Sequence, residues 1–131
     1  MSDNTYAKYR LMLVDDSDFS RSKLRTMLTQ NGFNVVAEAS SGGEAIKLIK
    51  EKKPHLVLVD VVMPEISGIE LTEKIMQTFT NTGVIVVSSL TQEQVIMQAI
   101  AAGAADFIPK PIDQTQLIES VAKYLTTMAS D

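Results

Sequence analysis

The sequence predicts an open α/β domain in which five parallel strands alternate with five helices, and three observations carry that prediction. First, four short apolar runs each end in a polar residue. They are Leu11-Met12-Leu13-Val14 before Asp15-Asp16, Leu56-Val57-Leu58-Val59 before Asp60, Val84-Ile85-Val86-Val87 before Ser88-Ser89, and Phe107-Ile108-Pro109 before Lys110. Apolar runs without alternation read as strands buried on both faces, as in a parallel sheet covered by helices. Second, helical spacing and capping residues fill the intervals between the runs, and right-handed crossovers then build a (βα)5 unit. Third, 131 residues, 45% of them hydrophobic and 21% charged, suit a single domain with one sizeable core.

Taken in order, the polar stretch from Met1 to Arg10 reads as a flexible lead, assigned to residues 1–9, before a domain over 10–126 and a frayed end at 127–131. After the first strand, Ser17 is placed to cap a helix, with Asp18 in its first turn at the positive end of the dipole. Leu24, Met27 and Leu28 form its apolar stripe, and Asn31-Gly32 stops it. A second strand covers Asn34 to Ala39. Ser41 precedes Glu44 at capping-box spacing, and Ala45, Leu48 and Ile49 share one face until Lys50 to Lys53 meet Pro54.

The strand ending at Asp60 follows, then a loop from Val61 to Ser67 containing Pro64. Ser67 and Glu70 repeat the capping spacing and open a third helix with Leu71 and Ile75 inward. A turn at Asn81 to Gly83 leads to the fourth strand. Thr91 and Gln94 are expected to cap a fourth helix running to Gly103, where glycine suits the left-handed C-terminal position. The fifth strand is Asp106 to Pro109, and Asp113 starts a last helix with Leu117, Val121 and Leu125 on one face. No internal repeat, low-complexity tract or linker marks a domain boundary.

Composition removes several function classes. A net charge of -4 argues against sequence-independent nucleic-acid binding, which needs a basic face. The absence of cysteine removes disulfide frameworks, thiolate metal sites and cysteine nucleophiles, and fits a cytoplasmic protein. No apolar run approaches membrane-spanning length and the N-terminal stretch lacks the apolar segment of a signal peptide, so no membrane insertion is expected. Gly42-Gly43 matches no phosphate-binding loop. His55, the single histidine, reads as a loop residue with no role, and the seven methionines read as core filler.

What remains is the set of strand ends. In an open parallel sheet, ligands bind outside the carboxyl ends of the strands, so Asp15, Asp16, Asp60, Ser88 and Lys110 should share one site. Three crowded carboxylates raise one another's pKa unless a cation sits among them. All-oxygen ligation favours Mg²⁺, with Mn²⁺ as the second choice. A hydroxyl and a fixed ammonium are the groups that stabilise a phosphoryl group in transit. The chemistry inferred from these residues is phosphoryl transfer onto an aspartate.

The ordered set resembles the response-regulator receiver domains of two-component signalling. It comprises Asp15-Asp16 after the first strand and Asp60 with Met63-Pro64-Glu65-Ile66-Ser67-Gly68 after the third. Ser88 ends the fourth strand, and Lys110-Pro111 follows the fifth. The resemblance spans about Arg10 to Leu125 and implies a flavodoxin-like sheet of order 2-1-3-4-5. It implies that Asp60 accepts phosphate from a histidine kinase or phosphotransfer protein. Mg²⁺ would be held by Asp16, Asp60 and the Val62 backbone carbonyl, with Asp15 acting mainly through a water.

By the same resemblance, Ser88, Ser89 and Lys110 would bind the phosphoryl group, Ser88 and Phe107 would act as the switch, and Pro111 would follow a cis peptide. Val62 and Leu90 would flank the approach of the hydrolytic water and set the phosphoryl lifetime. Ile96 and Ile100 should lie outward near Phe107, on a face shared by the fourth helix, fifth strand and last helix, and bind a target or a second copy.

Because only a short tail follows Leu125, the expectation is a stand-alone regulator of the chemotaxis type, acting through phosphorylation-dependent binding. Three alternatives compete with this reading. An aspartyl-phosphate hydrolase of haloacid-dehalogenase type would carry D-x-D after the first strand and a further acidic pair beyond the lysine. A degenerate receiver would act only as a scaffold. In a flavin carrier, Asp15-Asp16-Ser17-Asp18 would repel the cofactor's phosphate.

Overall fold

The computed structural model describes residues 5–129 and contains the predicted alternation. Its elements are β1 (Arg10–Val14), α1 (Asp18–Gln30), β2 (Asn34–Ala39), α2 (Gly42–Lys52), β3 (Leu56–Asp60), α3 (Gly68–Thr78), β4 (Gly83–Ser88), α4 (Glu93–Ala101), β5 (Asp106–Pro109) and α5 (Gln114–Ala129). The five strands are parallel in the order β2-β1-β3-β4-β5, with Val14 opposite Val59, Asp60 opposite Val87 and Ser88 opposite Pro109. That register lines up the ends of β1, β3, β4 and β5, which is where every polar strand end falls.

Alternation along the buried strands sorts their side chains into two layers. Leu11, Leu13, Leu56, Leu58, Ile85, Val87 and Ile108 pack with Leu24 and Leu28 of α1 and with Leu117, Val121 and Leu125 of α5. Met12, Val14, Val57, Val59, Val84, Val86 and Phe107 face α2, α3 and α4 through Ala45, Ile49, Leu71, Ile75 and Ala99. Each fully buried leucine of this kind contributes about 2–3 kcal/mol, so the sheet is a rigid platform for what sits at its rim.

The helix starts are built as the sequence implies, with one exception. Ser17, Ser41 and Ser67 each accept a bond from the backbone N–H three residues on, and Glu44 returns the bond to Ser40 rather than to Ser41. At α4 the expectation fails. Thr91 lies one residue too early, the N-cap is Gln92 with no side-chain cap, and the Gln92 carbonyl alone receives Val95 and Ile96. That helix stops at Ala101, and Gly103 takes the left-handed turn at φ 112°.

Among the described residues, parts of the expected lead (1–9) and frayed end (127–131) carry structure. Residues 5–8 form a turn, Tyr6 stacks on Phe33 with centroids 5.3 Å apart, and Tyr9 is buried in the α1–α5 layer. At the other end α5 runs through 127 to Ala129, and Met128 packs on the same layer. Residues 1–4 and 130–131 lie outside the described residues.

Candidate functional site

The site grows out of the rim of the sheet. Asp15 extends β1, its N–H donating to the Ala39 carbonyl at 3.0 Å, and its carboxylate is buried. Oδ1 accepts from the Ser17 N–H at 2.9 Å and Oδ2 accepts from Lys110 Nζ at 2.9 Å. Asp16, one residue on, is exposed. Asp60 ends β3, where Oδ1 accepts from the Val62 N–H at 3.3 Å and Oδ2 from Lys110 Nζ at 3.1 Å. The Lys110 backbone is held by its N–H, which donates to the Ser88 carbonyl at 2.9 Å, and the Lys110-Pro111 peptide is cis.

One oxygen from each of Asp15, Asp16 and Asp60 lies within 4.8 Å of the other two. Three carboxylates facing one ammonium leave a surplus of negative charge. This hard all-oxygen donor set fits Mg²⁺, which takes one or two protein carboxylates and keeps waters. Burial pushes the Asp60 carboxyl above its ordinary value, and the charge of Asp15 adds to this, against the opposing pull of Lys110. Burial works the other way on Lys110. There the bond to Asp15 and the charges of Asp60 and Asp15 outweigh it and hold the ammonium above the usual lysine range.

Ser88 is fully buried and its Oγ accepts from the Leu90 N–H at 3.0 Å, so the hydroxyl proton remains to be donated. Ser89 beside it is exposed. Gly68 is required by close approach, because a Cβ there would stand 2.1 Å from the Asp60 carbonyl oxygen. The start of α3 therefore lies directly against the backbone of Asp60.

Two residues of the site carry no sequence signal. Ser20 Oγ accepts from Lys110 Nζ at 2.8 Å. Arg21 donates to the Asp15 carbonyl, to Asp18 and to Glu38, fixing the turn between the two acidic residues. Ile96 is not placed outward as expected. Phe107 is buried in the α2–α4 layer and Ile96 is half-buried against it, whereas Met97 and Ile100, 62% and 49% exposed, are the apolar residues that α4 shows to solvent. Position 97 projects outward because Ala99 and Val95 already fill the inner stripe.

A (βα)5 sheet of this order, with an acidic cluster and a lysine at its carboxyl rim, defines a receiver domain. Residues 11–122 match the family model described as response regulator receiver domain. The chain belongs to that family, whose members are phosphorylation-activated signalling switches. It is 40% identical over 114 residues to the chemotaxis protein CheY of Thermotoga maritima, covering 87% of this chain and 95% of that one. It is 39% identical over 117 residues to the CheY of Bacillus subtilis, covering 89% and 98%. Among solved structures it superposes on the CheX-CheY-BeF3-Mg+2 complex from Borrelia burgdorferi with a TM-score of 0.85, at 32% identity and 89% coverage of each chain. Among the described residues no helix is long and apolar enough to cross a membrane.

Proposed function

We propose that Asp60 is the phosphoacceptor, taking a phosphoryl group from a histidine kinase or phosphotransfer protein. The observation that carries this is the single ammonium of Lys110 reaching both Asp15 and Asp60 at the carboxyl rim. An Asp60 carboxylate oxygen attacks phosphorus, the P–N bond to the donor imidazole breaks, and the leaving nitrogen takes up a proton. Asp16, Asp60 and the Val62 carbonyl, with Asp15 acting mainly through a water, are the groups assigned to hold Mg²⁺ or Mn²⁺, which when bound would supply positive charge to the phosphoryl oxygens. Lys110 neutralises a further oxygen and the buried Ser88 hydroxyl donates to another, with Ser89 at the outer edge. The Borrelia complex, in which CheY is found with BeF3 and Mg+2, supports this reading.

Incubation with acetyl phosphate and Mg²⁺ followed by intact mass measurement tests it. Wild type gains one hydroxylamine-labile phosphate and Asp60→Asn gains none. A phosphate still acquired by Asp60→Asn places the acceptor elsewhere.

The signal is read on the face of α4, β5 and α5. Ser88 and Phe107 serve as the switch, Phe107 repacking from beneath since it is itself buried, and Met97 and Ile100 supply the exposed apolar contact. A second copy of the domain is the occupant tested by sedimentation velocity. Association appears only with beryllofluoride and is lost in Met97→Glu, Ile100→Glu. A dimer that survives the double substitution lies on another face.

A further inference from the structure

We propose that Ser20 is a positioning residue for Lys110, fixing the ammonium at the point from which it meets the phosphoryl group. This rests on Asp60 being the acceptor. An ammonium has three donors, and Lys110 Nζ has three partners: Asp15 Oδ2 at 2.9 Å, Asp60 Oδ2 at 3.1 Å and Ser20 Oγ at 2.8 Å. The neutral oxygen is the nearest of the three. Two acceptors confine a flexible four-carbon side chain only to an arc between them, whereas a third, off that line, fixes a point.

Ser20 is suited to this because it is held on a rigid element. It sits in the first turn of α1, and its N–H donates to Ser17 Oγ at 3.2 Å. Its neighbour Arg21 ties the same turn to the Asp15 carbonyl, Asp18 and Glu38. Thus α1 acts on β5, across 90 residues of sequence, through one hydroxyl.

Transfer changes the charge on Asp60 and leaves Ser20 untouched. When a phosphoryl oxygen competes for Lys110, a carboxylate bond can be exchanged for it while the bond to Ser20 holds the nitrogen in place. Ser20 lies outside the acidic trio and among the described residues its hydroxyl meets Lys110 alone, so it bears on the phosphoryl step through the lysine. Its hydroxyl proton is not donated to any of the described residues, so a threonine, which keeps the oxygen, can replace it.

The test compares wild type, Ser20→Ala and Ser20→Thr in three measurements: phosphorylation rate with acetyl phosphate, ¹⁹F NMR of bound beryllofluoride, and Mg²⁺ affinity with melting temperature as the control. Ser20→Ala is expected to be phosphorylated about tenfold more slowly and to bind beryllofluoride more weakly with a shifted ¹⁹F signal. Its Mg²⁺ affinity and melting temperature stay at the wild-type values, and Ser20→Thr recovers most of the rate. A Ser20→Ala protein that matches wild type in rate and ¹⁹F spectrum overturns the positioning role. So does one whose rate falls only in step with Mg²⁺ affinity and melting temperature, since that is loss of structure. Wild type that takes no phosphate on Asp60 removes the acceptor itself, a result told apart from the others by mass before any variant is compared.

Discussion

The two ends of the parallel sheet use polar side chains in opposite ways. At the amino end, polar groups are spent on the backbone. The Arg10 N–H donates to His55 Nδ1 at 2.9 Å, the His55 N–H returns to the Arg10 carbonyl at 2.7 Å, and Arg10 Nε caps α2 through the Lys52 and Lys53 carbonyls. Thr82 Oγ1 donates to the Pro54 carbonyl at 2.9 Å, and the Tyr9 ring meets the imidazole edge-on. At the carboxyl end, side chains are aimed at one another and their charges do not balance.

Burial disfavours the charged form at both ends, lowering the pKa of His55, with help from Arg10, and raising that of Asp60. Neutral imidazole is the form that accepts the Arg10 N–H, so at the amino end burial and bonding agree. In the proposed reaction Asp60 must be ionised to attack phosphorus, so at the carboxyl end burial opposes that chemistry. At this rim the burial of Asp60 works against stability while the bonds that Lys110 makes to Asp15 and Asp60 work for it.

The largest contrast comes from Asp60→Asn, which abolishes phosphorylation and at the same time raises the melting temperature of the metal-free protein at neutral pH by a few degrees. The sign follows from linkage. The folded pKa of Asp60 lies above its unfolded value, so the native state binds the proton more readily and the penalty grows as pH rises through the folded pKa. The advantage of the variant accordingly shrinks in acid, as melts by circular dichroism across a pH series will read. An Asp60→Asn protein less stable than wild type at pH 7 would mean that Lys110, not burial, dominates this carboxylate.

A smaller effect sharpens the account of the same rim. Val62 is 53% exposed and Leu90 is half-buried, and neither side chain can orient a water. We infer that they shield the aspartyl phosphate. Val62→Asn, Leu90→Glu is expected to hasten decay about tenfold, the equivalent of one water-positioning contact. The measurement is phosphate release after the donor is removed, and equal decay in both proteins rejects shielding.

At the amino end the expected change is in stability alone. His55→Ala leaves the Arg10 N–H without its acceptor and costs about 1–2 kcal/mol, with phosphorylation by acetyl phosphate unchanged. Wild-type stability attributable to His55 is complete above the ordinary value of 6.5 and is lost as pH falls below it, because the unfolded chain binds a proton that the folded imidazole resists. Urea titrations at pH 7.5 and 5.5 should show that this acid-linked loss is smaller in the variant.

Much of this was legible in the sequence, because strand ends announce themselves. Unbroken apolar runs stopping at Asp15, Asp60, Ser88 and Lys110 gave both the sheet and the site, and serines three residues before a glutamate gave two helix starts. Ser20 and Arg21 were not legible, since a serine in a helical first turn is ordinary and its partner lies 90 residues away. The cap of α4 was misread because a threonine near a helix start has capping chemistry whether or not the chain places it in register. Ile96 was placed on the wrong side of its helix for a related reason. Val95, Ile96, Met97 and Ile100, beside Ala99, exceed one stripe, but which of them turn inward depends on the tilt of α4 over the sheet, a quantity no local pattern records.

The bonds of Lys110 to Asp15, Ser20 and Asp60 span 95, 90 and 50 residues. Contacts of such separation form late, after the loops between them have closed. During synthesis the three aspartates emerge well before the lysine that restrains them, and until β5 pairs with β4 they stand together without a counter-charge. Competence to receive a signal is thereby tied to completion of the fold. A nascent or truncated chain that has not laid down its last strand lacks the ammonium that bonds Asp15 and Asp60, and under the proposed mechanism it cannot take up the phosphoryl group.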